Sequence, residues 1–151
     1  MEKISDIKTL TEEELKNWLK EVGEKPFRAD QIRNRLFCGQ VKSFNEMETI
    51  PAALREKLSA NFRITSLEEA KRLLSEDGTV KWLYRTHDGY HIETVLIPTN
   101  DRFSVCVSTQ IGCAQNCAFC RTAKMGFIRN LEAGEILEEI IRVNWYLEET
   151  G

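Results

Sequence analysis

Three cysteines fall within eight residues, Cys113-Ala-Gln-Asn-Cys117-Ala-Phe-Cys120, in the spacing C-x3-C-x2-C. Thiols grouped this tightly on one loop point to metal or redox chemistry. Three of them can hold three corners of a 4Fe-4S cluster and leave the fourth iron without a protein ligand. Such an open iron can take up a small molecule and pass it an electron, with the protein acting as positioner. A zinc site is the competing use of the same thiols. Zinc takes four ligands, commonly as two pairs, and Cys106, His87 or His91 could supply the fourth, but the sequence holds no second C-x2-C. Five cysteines is an odd number and suits no closed set of disulfides. Cys38 lies in a helical pattern and reads as a small buried hydrophobe. Cys106 alternates along a strand with Val105 and Val107 and shares the other face with Ser104 and Ser108; by residue type alone it is also a buried hydrophobe. Glu93 by itself reads as a solvated strand carboxylate, and His87 and His91, on either side of a turn, as exposed histidines.

The charge around the cysteines is uneven. Residues 101–130 carry Arg102, Arg121, Lys124 and Arg129 against Asp101, a balance of +3, whereas residues 131–151 carry six glutamates against Arg142, a balance of −5. A mildly basic patch backed by an acidic helix is compatible with an anionic substrate without requiring one. With 42% hydrophobic and 30% charged residues in 151, the composition is that of a globular chain. No apolar run approaches the roughly 18 residues of a membrane span, and no signal-peptide pattern opens the chain. The expected setting is cytoplasmic, without a membrane partner.

Several elements must position that loop. Thr11 with Glu14 forms a capping box, Leu10 and Leu15 a hydrophobic staple, and Leu15, Trp18, Leu19 and Val22 one stripe that Gly23 ends. A second helix after Pro26 buries Ala29, Ile32 and Leu36, and a third from Pro51 buries Leu54 and Leu58. Residues 66–75 are ambiguous: Ser66 and Glu69 cap a helix, yet they lead straight into strand-like sequence. Val80, Trp82 and Tyr84 alternate, Asp88-Gly89 turns, and Tyr90–Ile97 returns as a hairpin before Pro98. A strand through Phe103, Val105 and Val107 leads to the cysteine loop. A helix from 131 to 148 then turns Ile136, Ile140, Val143 and Leu147 inward. The expected fold is α+β to α/β: a small N-terminal helical accessory domain over 1–76, a β-hairpin over 77–100, and over 101–151 the first strand–loop–helix unit of an incomplete (βα) barrel. One such unit cannot close a barrel, so the chain reads as a piece of a longer protein.

Together the motifs are specific. Val105-Cys-Val-Ser-Thr-Gln-Ile-Gly-Cys113, Cys117-Ala-Phe-Cys120, Thr122-Ala-Lys-Met-Gly-Phe127 and Arg129-Asn-Leu131 resemble the RlmN/Cfr-type radical S-adenosylmethionine (SAM) RNA methyltransferases. Pro26-Phe-Arg-Ala-Asp-Gln-Ile32, Asp77-Gly-Thr-Val-Lys-Trp82 and Ile92-Glu-Thr-Val95 extend the resemblance over nearly the whole chain. The resemblance implies a radical SAM core in which Cys113, Cys117 and Cys120 bind a 4Fe-4S cluster whose open iron chelates SAM, with Phe119 near the SAM adenine. It also implies that Cys106 is a second catalytic cysteine, which releases the methylated RNA from a covalent adduct as it forms a disulfide, and that Glu93 is an acid/base group for the substrate adenine. The implied reaction is methylation at C2 of an adenine in 23S rRNA and in tRNA through a methyl-cysteine radical, with C8 the site in the related antibiotic-resistance enzymes. The carrier cysteine of that mechanism lies near the family's C-terminus, beyond any position in this chain, so the expectation is an N-terminal portion inactive alone. Implied partners are the two RNAs and an electron donor such as flavodoxin or ferredoxin, acting with a monomer. Lys16, Lys20, Lys25, Arg28, Arg33 and Arg35 of the first helices are candidate phosphate contacts, with Glu21, Glu24 and Asp30 among them. A non-catalytic zinc- or cluster-bearing RNA-binding module is the alternative.

Overall fold

The computed structural model describes residues 5–115 and 117–150. The chain divides into two compact units between Thr65 and Ser66, rather than at residue 76.

The first unit is helical. Strand β1 (Ser5–Asp6) pairs in parallel with β2 (Phe62–Arg63), and between them run α1 (Glu12–Glu21), α2 (Arg28–Cys38) and α3 (Ala52–Asn61). The capping box forms: Thr11 Oγ1 accepts from the Glu14 amide at 3.2 Å, and the Glu14 carboxylate accepts from the Thr11 amide at 2.7 Å. Gly23, at φ +79°, ends α1 in the left-handed conformation that glycine adopts without strain. Leu15, Leu19, Ala29, Ile32, Leu36, Leu54 and Leu58 are all at most 1% exposed and make one core, which Trp18 edges against Phe62 at 5.0 Å. Cys38 is exposed rather than buried. The buried face of α2 runs through residues 29, 32 and 36, and two further residues carry Cys38 about 200° around the helix from Leu36. Thr11→Ala removes the cap and is expected to lower the stability of this unit by about 1 kcal/mol, measurable by urea denaturation; an unchanged midpoint would refute the capping account.

The second unit is a four-stranded antiparallel sheet backed by a helix. Strands β3 (Glu68–Leu74), β4 (Val80–Arg85), β5 (His91–Thr99) and β6 (Arg102–Cys106) pair in that order. The ambiguous segment 66–75 is therefore a strand of this sheet. Its helix-forming residues give way to pairing with β4 and to the cross-strand ion pair of Glu68 with Arg85. Both its faces are exposed, so no alternation marks it. Asp88-Gly89 makes the β4–β5 turn as expected, with Gly89 at φ +86°. Short strands β7 (Gln110–Ile111) and β8 (Arg129–Asn130) pair antiparallel, and α4 (Ala133–Thr150) follows.

One face of the sheet presents Val80, Trp82, Tyr84, Ile92 and Leu96, each at most 3% exposed, with Val143, Ile136, Tyr146 and Leu147 of α4 packed among them. Trp82 and Tyr146 meet edge to face at 5.1 Å. Ile140, expected inward, is 41% exposed. Between residues 136 and 143 the helical stripe passes through either 139 or 140, and the structure buries Glu139 completely.

Candidate functional site

The cysteine loop leaves and re-enters the unit through the β7–β8 pair. The Ile128 amide donates to the Ile111 carbonyl at 3.0 Å and the Cys113 amide to the Gly126 carbonyl at 3.3 Å. The two ends cross at Gly112 (φ +72°), where a Cβ would stand 1.6 Å from the Gly126 carbonyl oxygen. Only glycine fits both the left-handed backbone and this approach. Arg129, at the exit of the loop, grips two carboxylates. Its guanidinium lies 2.7 Å from Asp88 in the β4–β5 turn and 2.7 Å from Glu135 in the first turn of α4. Glu135 is 1% exposed. Burial opposes its charge, but the Arg129 guanidinium outweighs that and holds the carboxyl below its ordinary range. Hydrogen bonding from Arg129 holds Asp88 far below its own.

Within the loop, Cys117 is exposed and Cys113 and Cys120 half-buried, all as free thiols. Backbone amides of Ala123 and Thr122 draw the Cys120 thiol below its ordinary pKa, which favours the thiolate a metal needs. Four ligands on one zinc, with sulfurs about 2.3 Å from the metal, must converge to within about 4 Å of one another. Among the described residues the potential ligand atoms that converge within 4.8 Å belong to His87, Asp88 and Glu135, not to the three cysteines. Among the described residues no group of three such ligand atoms that includes a cysteine converges at that distance. Thiols that each bind a different iron of a cluster need no such convergence, so this donor set fits a 4Fe-4S cluster better than zinc. Asp88 and Glu135 in turn are engaged by Arg129, whose positive charge sits where a cation would.

The outer face of the sheet looks toward the loop. In the register Leu83 faces Glu93, and Lys81 faces Val95, which faces Cys106. Glu93 and Cys106 therefore share one face two positions apart. Cys106 is exposed, not buried, as are all five residues of β6. Lys81 Nζ lies 2.6 Å from the Glu93 carboxylate. Ser108, just past β6, donates from its hydroxyl to the Glu93 carbonyl at 2.8 Å and accepts from the Glu93 amide at 3.3 Å. Between this face and the loop lies a cavity of about 390 Å³, whose lining includes Lys81, His91, Glu93, Ser108, Gly112 and Arg121. Phe119 is 93% exposed and lies outside that lining, as does Cys106. Nothing in the sequence marks Lys81 or Ser108 as functional: alternation puts each on one face of its own strand, and the register brings both beside Glu93.

The crystal structure of a radical SAM methyltransferase from Sphaerobacter thermophilus superposes with a TM-score of 0.86 and 38% identity, over 97% of this chain and 43% of that one. The fold is that of this radical SAM methyltransferase over the matched part. The family model of the ribosomal RNA large subunit methyltransferase N-terminal domain matches residues 5–64. The dual-specificity RNA methyltransferase RlmN of Anaeromyxobacter dehalogenans is 47% identical over 97% of this chain and 39% of its own length. The probable dual-specificity RNA methyltransferase RlmN of Bacillus velezensis is 50% identical over 91% of this chain and 38% of its own. Over nearly its whole length the chain is similar to the N-terminal portion of these RlmN enzymes, and it spans about two fifths of their length. No helix among the described residues is long and apolar enough to cross a membrane.

Proposed function

We infer that this chain supplies the cluster loop and part of the substrate face of a radical SAM methyltransferase that acts at C2 of an adenine in 23S rRNA and in tRNA. The observation that carries the reading is the glycine-crossed, strand-clamped cysteine loop facing a cavity floored by Glu93. Cys113, Cys117 and Cys120 are the residues that would hold a 4Fe-4S cluster. When bound, that group supplies the electron for reductive cleavage of SAM. Exposed Phe119, between two ligand positions, offers an aromatic surface for the SAM adenine. Glu93, beside Lys81 on the cavity floor, holds or accepts a proton at the substrate base, and Cys106 supplies a thiol on the same face for release of the product. A base modified at a ring carbon must leave its stack, and the open cavity leaves room for it. In the whole protein the activity, an electron donor such as flavodoxin or ferredoxin, the two RNAs and a monomeric state follow the same reading.

Anaerobic reconstitution tests it. About four irons and four sulfides per chain are expected, falling to background in the Cys113/Cys117/Cys120→Ala variant. Zinc bound without sulfide would sink the radical reading and leave a metal-stapled RNA-binding module.

A further inference from the structure

Glu139 occupies a position in the apolar stripe of α4 and is completely buried. Its Oε2 accepts from the Thr94 hydroxyl of β5 and from the Ser108 amide at 3.0 Å. Its Oε1 is buried and has no hydrogen-bond partner. Among the described residues no cation pairs with it. Arg129, from β8, is engaged by Asp88 and Glu135, and Arg142 of the same helix lies 2.9 Å from Glu138. From β4, the inward Tyr84 carries a phenol that burial keeps neutral. From β5, the neighbour is uncharged Thr94, since His91 and Glu93 alternate to the opposite face. Glu135, one turn earlier, adds a like charge. A buried carboxylate with no counter-charge and one oxygen unserved is strongly disfavoured in its ionised form. The same carboxyl with a proton on Oε1 keeps Oε2 as acceptor for both donors.

The bonds continue beyond Glu139. The Ser108 amide is held from the core side, and the Ser108 hydroxyl both donates to and accepts from the Glu93 backbone on the cavity side. Ser108 is also the second residue past Cys106, at the end of β6. We propose that Glu139, in its uncharged form, is a positioning residue that fixes Ser108 and through it the spacing of Glu93 and Cys106. What that spacing serves rests on the function proposed above; the bond chain itself does not. Burial, the largest cause, lifts the Glu139 carboxyl from 4.5 to about 7. Because the folded state holds this proton more tightly than the unfolded chain, stability falls as pH rises from about 4.5 to about 7 and stays lower above.

The test is a 1H–15N NMR titration of the 151-residue chain from pH about 5 to about 9, spanning the ordinary and raised glutamate values. The amides of Ser108 and Glu93 are expected to shift together, with one midpoint near 7. In Glu139→Gln that transition is absent, and both amides sit at their low-pH wild-type positions at every pH. At fixed pH, Glu139→Ala is expected to lower the hydrogen-exchange protection of Ser108 at least about tenfold, the scale of one buried donor left unserved, while Glu139→Gln stays within about twofold of wild type. A midpoint in the ordinary glutamate range, a transition that persists in Glu139→Gln, or equal protection in the Ala and Gln variants would each overturn the proposal. None of these readouts involves metal or RNA, so failure here is separate from failure of iron uptake.

Discussion

Gly112→Ala is expected to leave both units folded and to abolish iron uptake. Two penalties meet at this residue. The positive φ costs an alanine about 1 kcal/mol or more, and the new Cβ would stand 1.6 Å from the Gly126 carbonyl oxygen, a contact with backbone that no rotamer relieves. To relieve it the ends of the loop must part, which breaks the bond of the Cys113 amide to the Gly126 carbonyl and the β7–β8 pairing beside it. Gly89→Ala separates the two effects, since Gly89 has φ +86° with nothing within 4 Å of its Cβ position. It pays for the backbone alone and should retain iron. Iron and sulfide per chain after anaerobic reconstitution are the measurement. Full loading of Gly112→Ala would mean that the crossing does not shape the loop.

Arg129→Ala should destabilise the second unit by about 3 kcal/mol, because it strands the buried Glu135 carboxylate without its partner. Guanidinium denaturation at neutral pH, read from Trp82 and Trp145 fluorescence, gives the value, and a loss under about 0.5 kcal/mol would place Arg129 among ordinary surface charges. The pH dependence carries the same signature. Asp88 and Glu135 have folded carboxyls held below their ordinary values, so their contribution is complete only above the ordinary glutamate value of 4.5 and is lost as pH falls through the folded values. That acid-side slope should shrink in Arg129→Ala. The slope from Glu139 has the opposite sign and lies above pH about 4.5, so the two can be read in one pH series.

What the sequence disclosed, it disclosed through local rules. The Thr11 box, the α1, α2 and α3 stripes, the Asp88-Gly89 turn and the strand into Cys106 each depend on residues within a few positions of one another, and each formed. The failures are positions where a distant partner decides. Nothing local says that residues 68–74, rich in helix formers, will pair with β4. Nothing local chooses between Glu139 and Ile140 for the interior; the donors that admit a carboxyl there, Thr94 and Ser108, lie 45 and 31 residues away. For Cys38 residue type points inward while the phase of α2 points outward, and the phase decides. In the candidate site the cysteine spacing is plain from the sequence, whereas Lys81, Ser108 and the Gly112 crossing needed the sheet register.

The β7–β8 pair has a thermodynamic consequence for metal loading. A metal that gathers ligands from an unordered chain must offset the entropy of closing the loop, which is why many small metal domains fold only when loaded. Here the ends of the cysteine loop are already joined by backbone hydrogen bonds and anchored through Arg129 to two other elements, so closure belongs to the folding of the unit. Occupancy of the loop then acts as an ordinary ligand equilibrium, adding stability in proportion to affinity. If the loop holds the proposed cluster, the chain without it is already a folded protein, with an open loop on a closed base.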